Sequence, residues 1–191
     1  MKKGTIMNRT RKILLIVVVA IVAAGLLWGA ASLVVTQLVL PALADIASDD
    51  PGMVGQVGRS IAFYDLPPGF GQGYAVTQAD YQLVTYLGPD GRTHITLFQM
   101  PGAEPDELEQ RLHDIGARAG MQTAVNERHT MQIGSQQGSL LIGEGTNGEG
   151  IPIRSVTLLF NGRGGPALVN IAGPVATWDK PAVDKFLASL R

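Results

Sequence analysis

Residues 151–172 read IPIRSVTLLFNGRGGPALVNIA. Two apolar runs, 151–160 and 167–172, flank the segment Asn161-Gly162-Arg163-Gly164-Gly165. Their Val, Ile, Thr and Phe side chains suit a pleated strand, and a short glycine-rich link between two such runs reads as a hairpin turn. Strands joined so closely are antiparallel, because a parallel pair needs a crossover of a dozen or more residues. This stretch therefore sets the fold class as an antiparallel sheet.

Working outward, the same grammar repeats. Residues 139–145 lead through Asn147-Gly148, a strong short hairpin signal, into the strand at 151–160. Residues 122–133 reach a turn at 134–138. Further upstream, 60–64, 74–77, 81–87 and 94–100 are strand candidates. Pro89-Asp90-Gly91 joins the last two, with Pro presetting φ and Gly accepting a positive φ.

Two segments break the period of two. Over 105–119, Leu108, Leu112, Ile115 and Ala119 fall on one helical face. Pro105 suits the first turn, Asp106, Glu107 and Glu109 suit the positive end of the dipole, and Gly120 suits the stop. Over 179–190, Val183, Phe186, Leu187 and Leu190 form a second stripe, with Thr177 or Asp179 as cap. An antiparallel sheet packed with two helices is an α+β domain, expected over residues 59–191. The chain has no cysteine, which excludes disulfides, thiolate catalysis and zinc–thiolate sites.

The charges upstream are sorted by side. Lys2, Lys3, Arg9, Arg11 and Lys12 precede residues 13–40, which carry no charge, and every acidic residue follows, beginning with Asp45. A bilayer needs about 20 mostly apolar residues in a helix, and cytoplasmic flanks retain Lys and Arg. The expected order is a basic cytoplasmic segment (1–12), a transmembrane helix (13–40), a linker (41–58) and an exported domain (59–191). Ala42-Leu43-Ala44 has the form of a signal-peptidase site, but the apolar run far exceeds the usual 7–15 residues of a cleaved signal. A net acidic exported part argues against nucleic acid as a partner.

Residues of chemical interest are few. His113 lies four positions after Glu109, the spacing of a helix-surface pair, and His94 and His129 fall on strand candidates without a metal motif. No G-x-S-x-G elbow occurs, and Gly134-Ser135 opens a hairpin turn. The run 143–150, Gly-Glu-Gly-Thr-Asn-Gly-Glu-Gly, lacks the Lys-Ser/Thr ending of a phosphate loop and carries two glutamates. No catalytic residue, cofactor site or metal site is assigned. Tyr64, Phe70, Tyr74, Tyr81, Tyr86 and Trp178 are the aromatic candidates for a cleft or a partner surface. Phe70 and Tyr74, beside glycines, with Trp178, form the candidate binding loop.

Asp65-Leu66-Pro67-Pro68-Gly69-Phe70 after an extended segment resembles the opening of PsbP-like and Mog1-like domains. Val183-Asp184-Lys185-Phe186-Leu187-Ala188-Ser189-Leu190 is similar to their C-terminal ending. The resemblance covers about residues 60–191 and implies an α/β/α sandwich. Its members bind partners as different as a small GTPase and a photosystem, and it supplies no catalytic residues. The expected function is a membrane-anchored, extracytoplasmic accessory or protein-interaction module without catalytic activity. Its expected partners are the lipid bilayer and another membrane or envelope protein. A small-ligand-binding domain with a sheet–helix pocket is the alternative, and a hydrolase the third.

Overall fold

In a computed structural model of the protein, the residues described are 47–79, 81–104, 107–108, 124–147 and 149–191. The expected transmembrane run 13–40 and most of the expected helix 105–119 lie outside them. Among the described residues, no helix is long and apolar enough to cross a membrane.

The described chain begins with a short strand, β1 (Ala47–Ser48), followed at once by a helix, α1 (Pro51–Ile61). This corrects the expectation of a linker to residue 58 and a strand over 60–64. Asp50 caps the helix, accepting a hydrogen bond from the Met53 amide at 2.8 Å, and Pro51 fills the first turn. Val54, Val57 and Ile61 share its buried side. Gly52, Gly55 and Gly58 hide that stripe in the sequence, and each costs roughly 1 kcal/mol of helix propensity relative to Ala. Burial of the apolar side outweighs propensity, as it does for most helices in proteins. Past α1 the chain is extended. Phe63 and Arg191 exchange backbone hydrogen bonds of 2.9 and 3.0 Å, which ties this segment to the last residue.

The other strands are β2 (Gln72–Thr77), β3 (Gln82–Leu87), β4 (His94–Gln99), β5 (Ala124–Ile133), β6 (Gln136–Thr146), β7 (Pro152–Gly162) and β8 (Gly165–Pro174). Among the described residues they form one sheet, ordered β1-β2-β3-β4-β8-β7-β6-β5, with every neighbouring pair antiparallel. Two meanders meet where β4 pairs with β8, Thr96 opposite Asn170. The turns are tighter than the sequence suggests: Gly134-Ser135 alone links β5 to β6, and Arg163-Gly164 alone links β7 to β8. The β6–β7 loop is longer, and Asn147 closes it by accepting from the Glu149 and Ile151 amides. The acidic run 143–150 is therefore the end of a strand and its hairpin loop.

After β8 comes a 3-10 turn (Val175–Thr177) and then α2 (Lys180–Ser189), close to the expected 179–190. Asp179 caps it through the Ala182 amide at 3.0 Å. The architecture is the expected α+β one, an antiparallel sheet packed with helices, with α1 standing where a linker is expected.

Strand alternation divides the core in two. On one face, Val54, Val57 and Ile61 of α1 and Val183, Phe186, Leu187 and Leu190 pack on Val84, Ile95, Leu97, Leu158, Val169 and Ile171. On the other, Val76, Leu83, Phe98, Leu159 and Leu168 pack with Leu108, one of two residues of the connection that are described as helical. That second face also holds a buried polar row, Thr85–Thr96–Asn170–Thr157, running across four paired strands.

Candidate functional site

Two hollows open on the helix-covered side. The smaller, about 300 Å³, lies between the sheet, α2 and the Pro-rich loop before β2. Its floor is Ile95 and Ile171, both almost fully buried. Pro67, Pro68, Phe70, Pro89 and Trp178 wall it, and Ala182 and Val183 close the helix side. Asp90, Thr93, Thr177 and Asp179 supply its polar groups.

Local chemistry sets each wall. Phe70 is brought in by a turn over residues 67–70, closed by the Phe70 amide donating to the Pro67 carbonyl at 3.2 Å. Pro68 sits where a fixed φ is wanted, and Gly69 takes φ +85°, the type II pattern. Trp178 is positioned by a bond between its neighbour Thr177 and Asp90. Asp90 accepts from the Arg92 and Thr93 amides at 3.0 and 2.8 Å, from the Thr93 hydroxyl at 2.8 Å and from the Thr177 hydroxyl at 3.0 Å. The last bond fastens the 3-10 turn before Trp178 to the β3–β4 hairpin. Burial works against ionisation of Asp90, but these four donors outweigh it and hold its carboxyl below the usual carboxylate range.

The larger hollow, about 1190 Å³, is an open cleft between α1, residues 64–66 and the outer edge of β2. Among the described residues, β1 pairs with Ala75 and Val76 before the chain turns away into α1, which leaves the cleft open. Gln72, Gly73 and Tyr74 of β2 then line the cleft beside Arg59, Tyr64 and Tyr86. The Tyr64 and Tyr86 hydroxyls lie 2.6 Å apart, and Tyr86 donates onward to the Val54 carbonyl at 3.5 Å. Burial, then the bond shared with Tyr86, raises the Tyr64 phenol pKa; burial also raises that of Tyr86, against the opposing effects of Tyr64 and Arg59.

The expected trio is thus divided. Phe70 and Trp178 meet in the smaller pocket, while Tyr74 lines the cleft instead. Tyr64 and Tyr86, which in sequence belong only to the broad aromatic set, prove to be the paired ones. Asp90 reads in sequence as a turn residue. Nothing there signals its bond to Thr177, which is a contact between distant segments.

The two described histidines do not converge. His94 is buried in β4, and His129 is exposed on β5 beside Glu127 at 2.9 Å, at the far edge of the sheet. His113 lies outside the described residues. Burial pushes the His94 imidazole down to about 4, against a bond to the Arg92 carbonyl and the nearby Asp90 charge. Its Nε2 and the Asn170 Oδ1 are buried without a hydrogen-bond partner among the described residues.

No model of a known protein family matches the chain, and no curated protein matches it. Among solved structures, it aligns with the crystal structure of LpqN, involved in cell envelope biogenesis of Mycobacterium tuberculosis. That alignment has 11% identity and a TM-score of 0.35, and covers 65% of this chain and 79% of that one.

Proposed function

We propose that this chain is a membrane-tethered binding module without catalytic activity, whose domain is exported and whose pocket behind Phe70 and Trp178 receives a small ligand. The tether is residues 13–40, uncharged and preceded by five basic residues. The likeness to PsbP-like and Mog1-like domains belongs to the same reading, since it implies a binding module. One observation carries the site: Phe70 and Trp178, far apart in sequence, wall a pocket with an apolar floor and a few polar groups. That combination, at the small end of the range for ligand pockets, is what small molecules bind in.

A fragment set screened by ligand-observed NMR against the full chain in detergent tests the reading. Fragments that bind the native protein and lose binding in Trp178→Ala and Phe70→Ala support it. Fragments that ignore both substitutions, or no binders at all, overturn it.

The edge of β2 at Gln72–Tyr74, unpaired among the described residues, supports a second reading, in which an extended segment of another envelope protein adds to it as a strand. A photo-crosslinking residue at position 72 should then capture a defined partner in native membranes, and the same residue at exposed position 185 should not. Equal capture at both positions would count against it.

A further inference from the structure

We infer that the pocket behind Phe70 and Trp178 takes an organic cation, an alkylammonium or quaternary ammonium group on a small apolar body. The inference rests on the reading of that pocket as the binding site and names the chemical class of its ligand. Among the described residues that line it, the charged ones are Asp90 and Asp179, and none is Lys, Arg or His. Two carboxylates in a mostly apolar pocket favour positive charge.

Among the described residues, neither charge is paired with a cation. Asp90 is satisfied by two amides and two hydroxyls, all neutral groups, so its hydrogen bonds hold it ionised without neutralising it. Asp179 uses Oδ1 for the Ala182 amide and forms no ion pair among the described residues. Lys180, the cation next to it in sequence, is turned to Asp184 at 2.5 Å. The start of α2 would ordinarily favour an anion. Here Pro181 has no N–H to offer and Asp179 already takes the Ala182 amide, so that end of the helix has its counter-charge built in.

The walls agree with the charge. Aromatic rings attract cations through the negative potential on their faces, and Trp is the strongest of them. Phe70 and Trp178 line the same hollow as the two carboxylates, above the apolar floor of Ile95 and Ile171. An anion would meet two carboxylates and, among the described lining residues, no cation, while a neutral ligand could draw on them only through a hydrogen-bond donor and not through charge. A compact ammonium with methyl or methylene groups satisfies rings, floor and carboxylates together.

The test uses the full chain in detergent micelles with Trp28→Phe, which leaves Trp178 as the sole tryptophan. Choline is titrated against 3,3-dimethylbutan-1-ol, which has the same shape with carbon in place of the charged nitrogen, and Trp178 emission is followed. The expected result is saturable choline binding at least about fivefold tighter than the alcohol, the effect of one unit charge about 4 Å away in water-like surroundings. Added salt should weaken choline and leave the alcohol unchanged. Asp179→Asn should weaken choline about fivefold with little change in melting temperature, because the amide oxygen can still cap α2. Equal binding of the two ligands, or choline binding indifferent to Asp179→Asn, overturns the inference and leaves the pocket itself standing. No response to either ligand also overturns it, and the fragment screen then decides separately whether the pocket binds anything.

Discussion

The two faces of the sheet are held by different means. On the face under α1 and α2, Phe186, Leu187, Ile61, Leu97 and Val169 bury apolar side chains against one another. On the opposite face, Leu83, Phe98 and Leu168 share the space with Thr85, Thr96, Asn170, Thr157 and His94. The Thr85 and Thr96 hydroxyls pair at 3.0 Å, and the Asn170 amide donates to Ser155 and Thr157 at 2.9 and 2.8 Å. An apolar face is stabilised in proportion to the area it removes from water and is indifferent to pH. A buried polar row must be satisfied bond by bond, and any titratable member couples folding to pH.

The largest effect should come from the apolar face. Phe186 is 1% exposed and touches Tyr64 edge to face, with ring centroids 5.8 Å apart. Phe186→Ala should cost about 3–5 kcal/mol, a large share of the roughly 5–15 kcal/mol that holds a domain folded. Lys185→Ala, at an exposed position of the same helix, should change little. Urea melts of both variants check the contrast, and equal melting would mean that α2 is not part of the core.

The polar face should reveal itself through pH. His94 is neutral in the folded state because its pKa is pushed down to about 4, whereas in the unfolded chain it sits near 6.5. Below 6.5 the unfolded state binds the extra proton, so stability is full above that pH and falls as the pH drops toward 4. The loss should approach about 3 kcal/mol, because each pH unit between the two pKa values contributes about 1.36 kcal/mol. Unfolding free energies measured from pH 7.5 to 4 should show this slope, and His94→Gln should flatten it between 6.5 and 5, above the range where carboxylates titrate. An unchanged slope in that variant would remove the distinction between the faces.

The smallest expected effect concerns a single atom on the apolar side. A Cβ at Gly58 would stand 1.8 Å from the Tyr64 hydroxyl oxygen and 2.8 Å from that of Tyr86. Gly58→Ala should therefore separate the tyrosine pair and cost about 1–3 kcal/mol, the usual range for overpacking. Tyr64→Phe removes the oxygen in the way, so the double variant should lose less than the sum of the two single ones. Strict additivity in that cycle would show that Gly58 is not kept for the tyrosines.

How far the sequence reaches can be judged from α1 and α2. Phe186, Leu187 and Leu190 stand out because their stripe is uninterrupted and Asp179 caps it. Val54, Val57 and Ile61 have the same spacing behind Asp50-Pro51, but glycines stand between them, and glycine lowers the local signal below that of a linker. Packing on the sheet is what outweighs the glycines in that helix, and packing is not written in any window of eleven residues. The candidate site divides in the same way. Pro67-Pro68-Gly69-Phe70 announces its own turn, so Phe70 can be singled out, and Trp178 stands out as a lone aromatic before a helix.

The sequence by itself determined what depends on neighbours along the chain: strand alternation, the hairpins around Gly134 and Gly164, the cap at Asp179, and the uncharged run 13–40 with its basic flank. Tertiary structure alone decided what depends on residues far apart. It paired β4 with β8, joining the two meanders, and it brought Trp178 to Phe70 while sending Tyr74 to the cleft. It also fastened Asp90 to Thr177 and set Tyr64 against Tyr86 over Gly58. The reason is that periodicity and turn chemistry are local properties of the backbone. A pocket, a latch or a buried pair is fixed by which surfaces the whole chain must hide from water at once.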